Sequence, residues 1–146
     1  MFFLHNKSRC RSVLKDGGEI ELFLPVEKDI CVVQDMVEKL IIKDQTNYLE
    51  NVIDELNQLH FQENYGHVRF KRISSRFGSC SNKGNINIAF RLLFAPKEVF
   101  RYVCVHELAH LKEFNHSKRF WNIVREAMPN YKDSEKWLKN NGFLLG

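Results

Sequence analysis

The chain has 146 residues, of which 44% are hydrophobic and 12% aromatic. Twelve Phe, four Tyr and two Trp are too many apolar anchors for a disordered or fibrous protein, so we expect one compact domain over residues 1–146. No apolar run approaches the roughly 20 residues of a membrane span. The basic residues that follow the short apolar start argue against a secretory signal.

The net charge and the spacing of the cysteines bear on the binding partners and on the cellular compartment. Lys and Arg exceed Asp and Glu by 22 to 18, for a net charge of +4 that is spread along the chain. This excess permits nucleic-acid contact without indicating it. The four cysteines form no C-x-x-C pair, which is typical of reduced thiols in a cytoplasmic protein. We expect a monomer with no membrane association.

The first part of the chain contains short strand patterns and one long helical pattern. Residues 19–24 and 30–33 resemble strands, and Asp16-Gly17-Gly18 predicts a turn before the first of them. Apolar residues at three- and four-residue spacing predict an amphipathic helix over residues 35–60. The polar stretch 43–47 leaves open whether this is one helix or two.

Two clear strand patterns follow, with a turn-forming segment between them. Residues 67–74 and 85–92 alternate apolar and polar side chains, which predicts two half-buried strands. The segment 78–84 is rich in turn formers, so we expect a hairpin or two neighbouring strands.

The last part of the chain is predicted to be helical. Pro96 can occupy the first turn of a helix over residues 96–113. Ser117 is a candidate cap for a second helix. Asp133 or Ser134 is a candidate cap for a third, which Gly142 would end. Strands first and helices later indicate an α+β fold.

The predicted helix 96–113 contains the sequence His106-Glu107-Leu108-Ala109-His110. Residues four apart on a helix lie on one side, one turn apart, so the two imidazoles can share a tetrahedral metal ion. Glu107 lies beside the first of them, where its carboxylate can reach a water molecule on that ion. This arrangement is the basis of the zinc-protease motif H-E-x-x-H.

His116 is the candidate third ligand. On an unbroken helix it would lie about 15 Å beyond His106, too far to share an ion. The helix must therefore end between His106 and His116. Asn115 tolerates the left-handed conformation that often ends a helix, and Ser117 can begin the next one.

Three histidines and one open position are typical of catalytic zinc. In such a site Glu107 would activate the zinc-bound water for attack on a peptide bond. Cys104 lies on the wrong side of the helix to be a fourth ligand, but Cys80 lies in a loop and stays a possible one. Candidate donors to the developing oxyanion are Arg76, Asn87 and Tyr131.

A set of separate motifs over residues 65–141 resembles the YgjP-like metallopeptidases, relatives of the SprT-like and WLM zinc peptidases. The matching residues are Ser75–Ser81, Gly84–Asn87, Arg91–Leu92, Ala95–Pro96, Tyr102–Val103, His106–Lys112, Asn115–Ser117, Phe120–Trp121, Pro129, Tyr131 and Trp137–Leu138. The region 1–64 matches only loosely. The resemblance implies a zincin-like fold, in which an active-site helix packs on a small antiparallel or mixed sheet and further helices follow. It also implies that His106, His110 and His116 bind zinc and that Glu107 is catalytic.

Two functions therefore remain from the sequence. The first is a zinc-dependent peptidase acting on a peptide or protein substrate, with Arg76 contacting the substrate or a residue next to the zinc ligands. The second is a non-catalytic zinc-binding or nucleic-acid-associated module with a vestigial site.

Overall fold

A computed structural model describes residues 11–14, 20–23 and 30–145 of the chain. The chain divides into two compact units, Met1–Gln45 and Thr46–Gly146. The expectation of a single domain over residues 1–146 stays a prediction.

The first unit contains one strand pair and the beginning of a long helix. Strand β1, Arg11–Leu14, pairs antiparallel with β2, Ile20–Phe23, so a strand within 19–24 is confirmed. The predicted turn at residues 16–18 lies outside the described residues. Helix α1 extends from Ile30 to Leu56, and a turn of π-helix, Asn57–Phe61, follows it.

Helix α1 corrects one prediction and answers an open question. The strand predicted at 30–33 is wrong, because these residues form the first turn of α1. A four-residue apolar run carries too little periodicity to separate strand from helix. The polar stretch 43–47 does not interrupt the helix.

The second unit contains a three-stranded mixed sheet. Its strands are β3, Val68–Lys71, β4, Gly78–Cys80, and β5, Ile86–Ala89, in the order β3-β5-β4. The two predicted strands are neighbours, but β3 and β5 run parallel, so a hairpin between them is wrong. The segment between them supplies β4, which pairs antiparallel with β5.

Three helices follow the sheet: α2, Lys97–Ala109, α3, Lys118–Ala127, and α4, Tyr131–Asn141. Helix α2 is shorter than the predicted 96–113. Helix α4 begins earlier than predicted, so Asp133 and Ser134 lie inside it rather than at its cap. The Ser134 hydroxyl donates a hydrogen bond of 3.3 Å to the carbonyl of Glu98, which ties α4 to α2.

Helix α2 is the centre of the second unit. It contacts β4, β5, α3 and α4, and every residue from Val99 to Ala109 except Arg101 and His106 is buried. A helix that is apolar on most of its circumference is stable only when other elements surround it. The observed helices and small mixed sheet confirm the α+β class. In the described part of the chain, no helix combines the length and the apolar character needed to cross a membrane.

Candidate metal centre

Three histidine rings converge at the end of helix α2. One ring nitrogen from each of His106, His110 and His116 lies within 4.8 Å of the others, and these are the three residues of the group that can hold a metal ion. The Nε2 atoms of His106 and His116 are 3.0 Å apart. Two nitrogens bound to one tetrahedral zinc ion would be roughly 3.3 Å apart, from bonds of about 2.0–2.1 Å. The observed spacing is close to that value.

His116 reaches this position because helix α2 ends at Ala109, between His106 and His116 as predicted. After Ala109 the last turn tightens, and the amide of Leu111 donates to the carbonyl of Leu108 at 3.0 Å. Ser117 then begins α3, and its hydroxyl accepts a hydrogen bond from the amide of Phe120 at 3.3 Å. The capping role predicted for Ser117 is confirmed.

The turn between α2 and α3 does not contain the left-handed Asn115 that the sequence predicts. Gln62 is the one non-glycine residue with a positive φ in the described part of the chain, so Asn115 is not left-handed. Its carbonyl instead accepts a short-range hydrogen bond from the amide of Ser117 at 2.8 Å. The last turn of α2 is already tight, because the amide of Leu111 donates a hydrogen bond to the carbonyl three residues earlier. The chain therefore turns back without a left-handed residue.

The ring of Phe120 packs against all three imidazoles. Its ring centroid lies 4.9, 4.6 and 4.7 Å from those of His106, His110 and His116, and its side chain is completely buried. Trp121 extends this support, with its ring 5.8 Å from His106 and 5.9 Å from His116. These contacts restrict the orientation of each ring, as the residues behind metal ligands commonly do.

The protonation states of the histidines suit a metal ion. Burial and the neighbouring imidazoles lower the pKa of His106 to about 3, and burial lowers the pKa of His110. The Nδ1 atom of His110 lies 3.3 Å from the carbonyl oxygen of Glu113, which can only accept a hydrogen bond. This contact holds the proton on Nδ1 and leaves the Nε2 lone pair available. A neutral imidazole with a free Nε2 lone pair, as at His110, is the form in which histidine binds a divalent ion such as zinc.

Glu107 lies beside the triad and is almost completely buried, with 5% of its surface exposed. Burial raises its pKa to about 7, and the positive charge of Arg76 opposes this shift. A Cβ atom at Gly78 would lie 2.6 Å from Oε1 of Glu107. Strand β4 therefore approaches the carboxylate closely only because residue 78 is glycine. In the sequence, Gly78 is visible only as a turn former and as part of the motif Ser75–Ser81.

A cavity of about 440 Å³ opens over the triad and Glu107. Arg76 lies in its wall, whereas Asn87 and Tyr131 do not, although all three were candidate oxyanion donors. Asn87 is held in the sheet by bonds to Ser79 and Arg69, and Tyr131 is buried in a ring stack. Other lining residues, which the sequence did not single out for this role, are Phe77, Ser79, Tyr102, Val103, Phe114 and Leu138.

The two cysteines considered as ligands have different positions. Cys80 lines the cavity but is not a member of the metal-binding group, and its thiol donates to the carbonyl of Ser81 at 3.7 Å. Burial and the charge of Glu107 raise its pKa to about 11, so the thiol is protonated at neutral pH when no metal ion is bound. Cys104 is fully buried and does not line the cavity, in agreement with the face predicted for it.

Comparison with known proteins gives the family and the fold. A family described as "YgjP-like, metallopeptidase domain" matches residues 3–141. UTP pyrophosphatase of Escherichia coli (strain K12) is 34% identical over 88 residues, which cover 56% of this chain and 52% of that protein. The chain therefore spans about half the length of this curated relative.

Two solved structures resemble the fold. The metallopeptidase zymogen abylysin of Pyrococcus abyssi matches with a TM-score of 0.57 and 23% identity, over 63% of this chain and 93% of that one. The zymogen jannalysin of Methanocaldococcus jannaschii matches with a TM-score of 0.53 and 22% identity, over 66% and 96%. At this level of identity the likeness shows the fold, which agrees with the zincin-like class expected from the sequence.

The role of Phe120 predicts a selective loss of metal affinity. Phe120→Leu keeps an apolar side chain but removes the ring beneath the imidazoles, so zinc affinity should fall by roughly 10- to 100-fold. Chelator competition measures this. Val124→Ala, at an equally buried position one turn later on α3, should lower the free energy of unfolding without changing zinc affinity. Equal zinc affinities in the two variants would contradict this role for Phe120.

The position of Cys80 predicts that its thiol is not a ligand. Cys80→Ser should bind one zinc ion per chain with the parent's affinity, whereas His116→Ala should bind it far more weakly. Metal analysis and chelator competition at neutral pH compare the two variants. A loss in Cys80→Ser as large as in His116→Ala would show that the thiol closes the site.

Proposed function

Because the chain belongs to the YgjP-like metallopeptidase domain family, we propose that it is a zinc-dependent hydrolase that cleaves peptide bonds. His106, His110 and His116 would hold the zinc ion, and Glu107 would be the general base. A peptide or protein is the proposed substrate. The cytoplasmic location and the monomeric state stay predictions.

One observation carries this proposal: the three imidazoles and the carboxylate of Glu107 line one open cavity. Among the described residues, the group that could hold a metal ion contains three side chains and no thiol. Structural zinc sites are normally closed by four protein ligands, whereas catalytic sites have three ligands and one open position. The donor set therefore favours catalysis.

The chemistry follows from the positions of these side chains. When bound, zinc lowers the pKa of water to about 7 and polarises a carbonyl group. Glu107 would take a proton from the attacking water and deliver it to the leaving amine. The carboxylate of Glu107 lies against Gly78 of β4, and both residues line the cavity. Arg76, in the wall of the same cavity, would attract negative charge that develops on the substrate.

A second candidate reaction is hydrolysis of a nucleoside triphosphate. It is favoured by the 34% identity to a protein named UTP pyrophosphatase. The same water activation would serve an attack on a phosphoanhydride. The family description favours the peptide bond, so we place peptide hydrolysis first.

The non-catalytic alternative accounts less well for Glu107. A vestigial or purely structural site has no use for a carboxylate that is 5% exposed and faces the ligand cavity. Burial of a carboxylate is costly even near the positive charge of Arg76, and a structural site would gain from its replacement. The position of Glu107 therefore supports an active enzyme over a zinc or nucleic-acid module.

Replacement of Glu107 gives the direct test of this function. Glu107→Gln keeps the shape of the side chain but removes its basicity, so zinc content should be unchanged while turnover falls by about 10²- to 10⁴-fold. Turnover is measured on a peptide library and on UTP, with a chelated sample as the blank. Glu98→Gln, in the first turn of the same helix, is the matched control and should retain activity. Full turnover by Glu107→Gln on every substrate would refute the mechanism.

A further inference from the structure

A second cavity adjoins the metal centre and has a different chemistry. It has a volume of about 500 Å³ and shares His110 and Phe114 with the first cavity, so the two meet beside a proposed zinc ligand. Its remaining lining residues are mostly polar: Asn64, Ser81, Asn82, Lys83, Gly84, Leu111 and Lys112. A substrate that lies over the triad can extend past Phe114 into this second cavity.

The charge of this cavity is positive. Lys83 and Lys112 contribute ammonium groups, and none of the lining residues that the structure describes is acidic. Lys112 has a weak ion pair with Glu63, with 3.8 Å between Nζ and Oε1 and both side chains partly exposed. Within the part of the chain that the structure describes, no carboxylate pairs with Lys83.

The walls of the cavity are held in place by hydrogen bonds. In the turn Ser81–Gly84, the amide of Gly84 donates to the carbonyl of Ser81 at 2.8 Å, and the amide of Asn85 donates to the Ser81 hydroxyl at 3.1 Å. The amide of Gly66 donates to the carbonyl of Gly84 at 2.9 Å, which fixes the turn to the chain before β3.

Gly84 lies next to the segment that follows helix α2. It has a φ of 74°, and a Cβ atom there would lie 3.4 Å from Cδ2 of Leu111. Since Leu111 follows His110 directly, the turn that carries Lys83 packs against the segment that carries a proposed zinc ligand. A binding site of fixed geometry loses little conformational entropy when it takes up a ligand.

From these features we propose that the second cavity is a subsite for an anionic group of the substrate, a carboxylate or a phosphate, which Lys83 and Lys112 bind. The inference rests on the proposed function for its role in catalysis. An acidic side chain of a peptide and the phosphates of a nucleotide present the same oxygen chemistry to the two ammonium groups. The subsite would select substrates that carry negative charge on the His110 side of the scissile bond.

The test uses matched ligand pairs on the zinc-loaded Glu107→Gln protein, in which binding is separated from turnover. One pair is a peptide with Glu and the same peptide with Gln, and the other is UTP and uridine. The anionic member of at least one pair should bind about tenfold more tightly than its neutral partner. It should also shift the amide resonances of Ser81–Gly84. The pair that shows the difference identifies the source of the anion.

The variants Lys83→Ala, Lys112→Ala and their combination should remove this discrimination while neutral ligands bind as before. Lys97→Ala is the control, because it removes the same charge at the other end of α2, about 20 Å from His110 at 1.5 Å per residue. Equal binding within both pairs, or an equal loss in Lys97→Ala, would overturn the subsite. If the discrimination holds but the parent enzyme cleaves neither peptide nor UTP, the proposed function fails and the subsite stands.

Discussion

The end of helix α2 at Ala109 is the constraint on which the site depends. The two histidines of the motif need a helix in order to face the same way, and His116 needs that helix to stop. Had α2 continued, its regular rise of 1.5 Å per residue would carry His116 about 15 Å from His106. Instead, two hydrogen bonds reverse the chain within a few residues. The amide of Ser117 donates to the carbonyl of Asn115, and the hydroxyl of Ser117 caps helix α3. The Nε2 atoms of His106 and His116 are then 3.0 Å apart.

Burial then gives these side chains the right chemical form. Phe120 occupies the space beneath the three imidazoles, and the removal of water lowers the pKa of His106 while it raises the pKa of Glu107. The same desolvation therefore favours neutral ligands and a carboxylate of increased basicity. Gly78 completes the arrangement, because strand β4 can cover one side of Glu107 only without a side chain at that position.

Local patterns in the sequence were sufficient to single out the three histidines that converge and to predict most helices, because helical spacing fixes which side chains share a face. What local patterns could not supply depends on tertiary pairing. Strand β4 is three residues of low strand propensity that pair only because β5 is present beside them. The parallel pairing of β3 and β5 and the close contact of Gly78 with Glu107 have the same origin. The second cavity combines residues from three separate loops, so no single sequence motif predicts it.

We propose that three imidazoles share one zinc ion and leave one coordination position for solvent. X-ray absorption at the zinc edge of the metal-loaded protein at neutral pH tests it most directly, since the spectrum distinguishes imidazole nitrogen, oxygen and sulfur donors. We expect three imidazoles, one oxygen donor and no sulfur. A sulfur donor, or only two imidazoles, would contradict it.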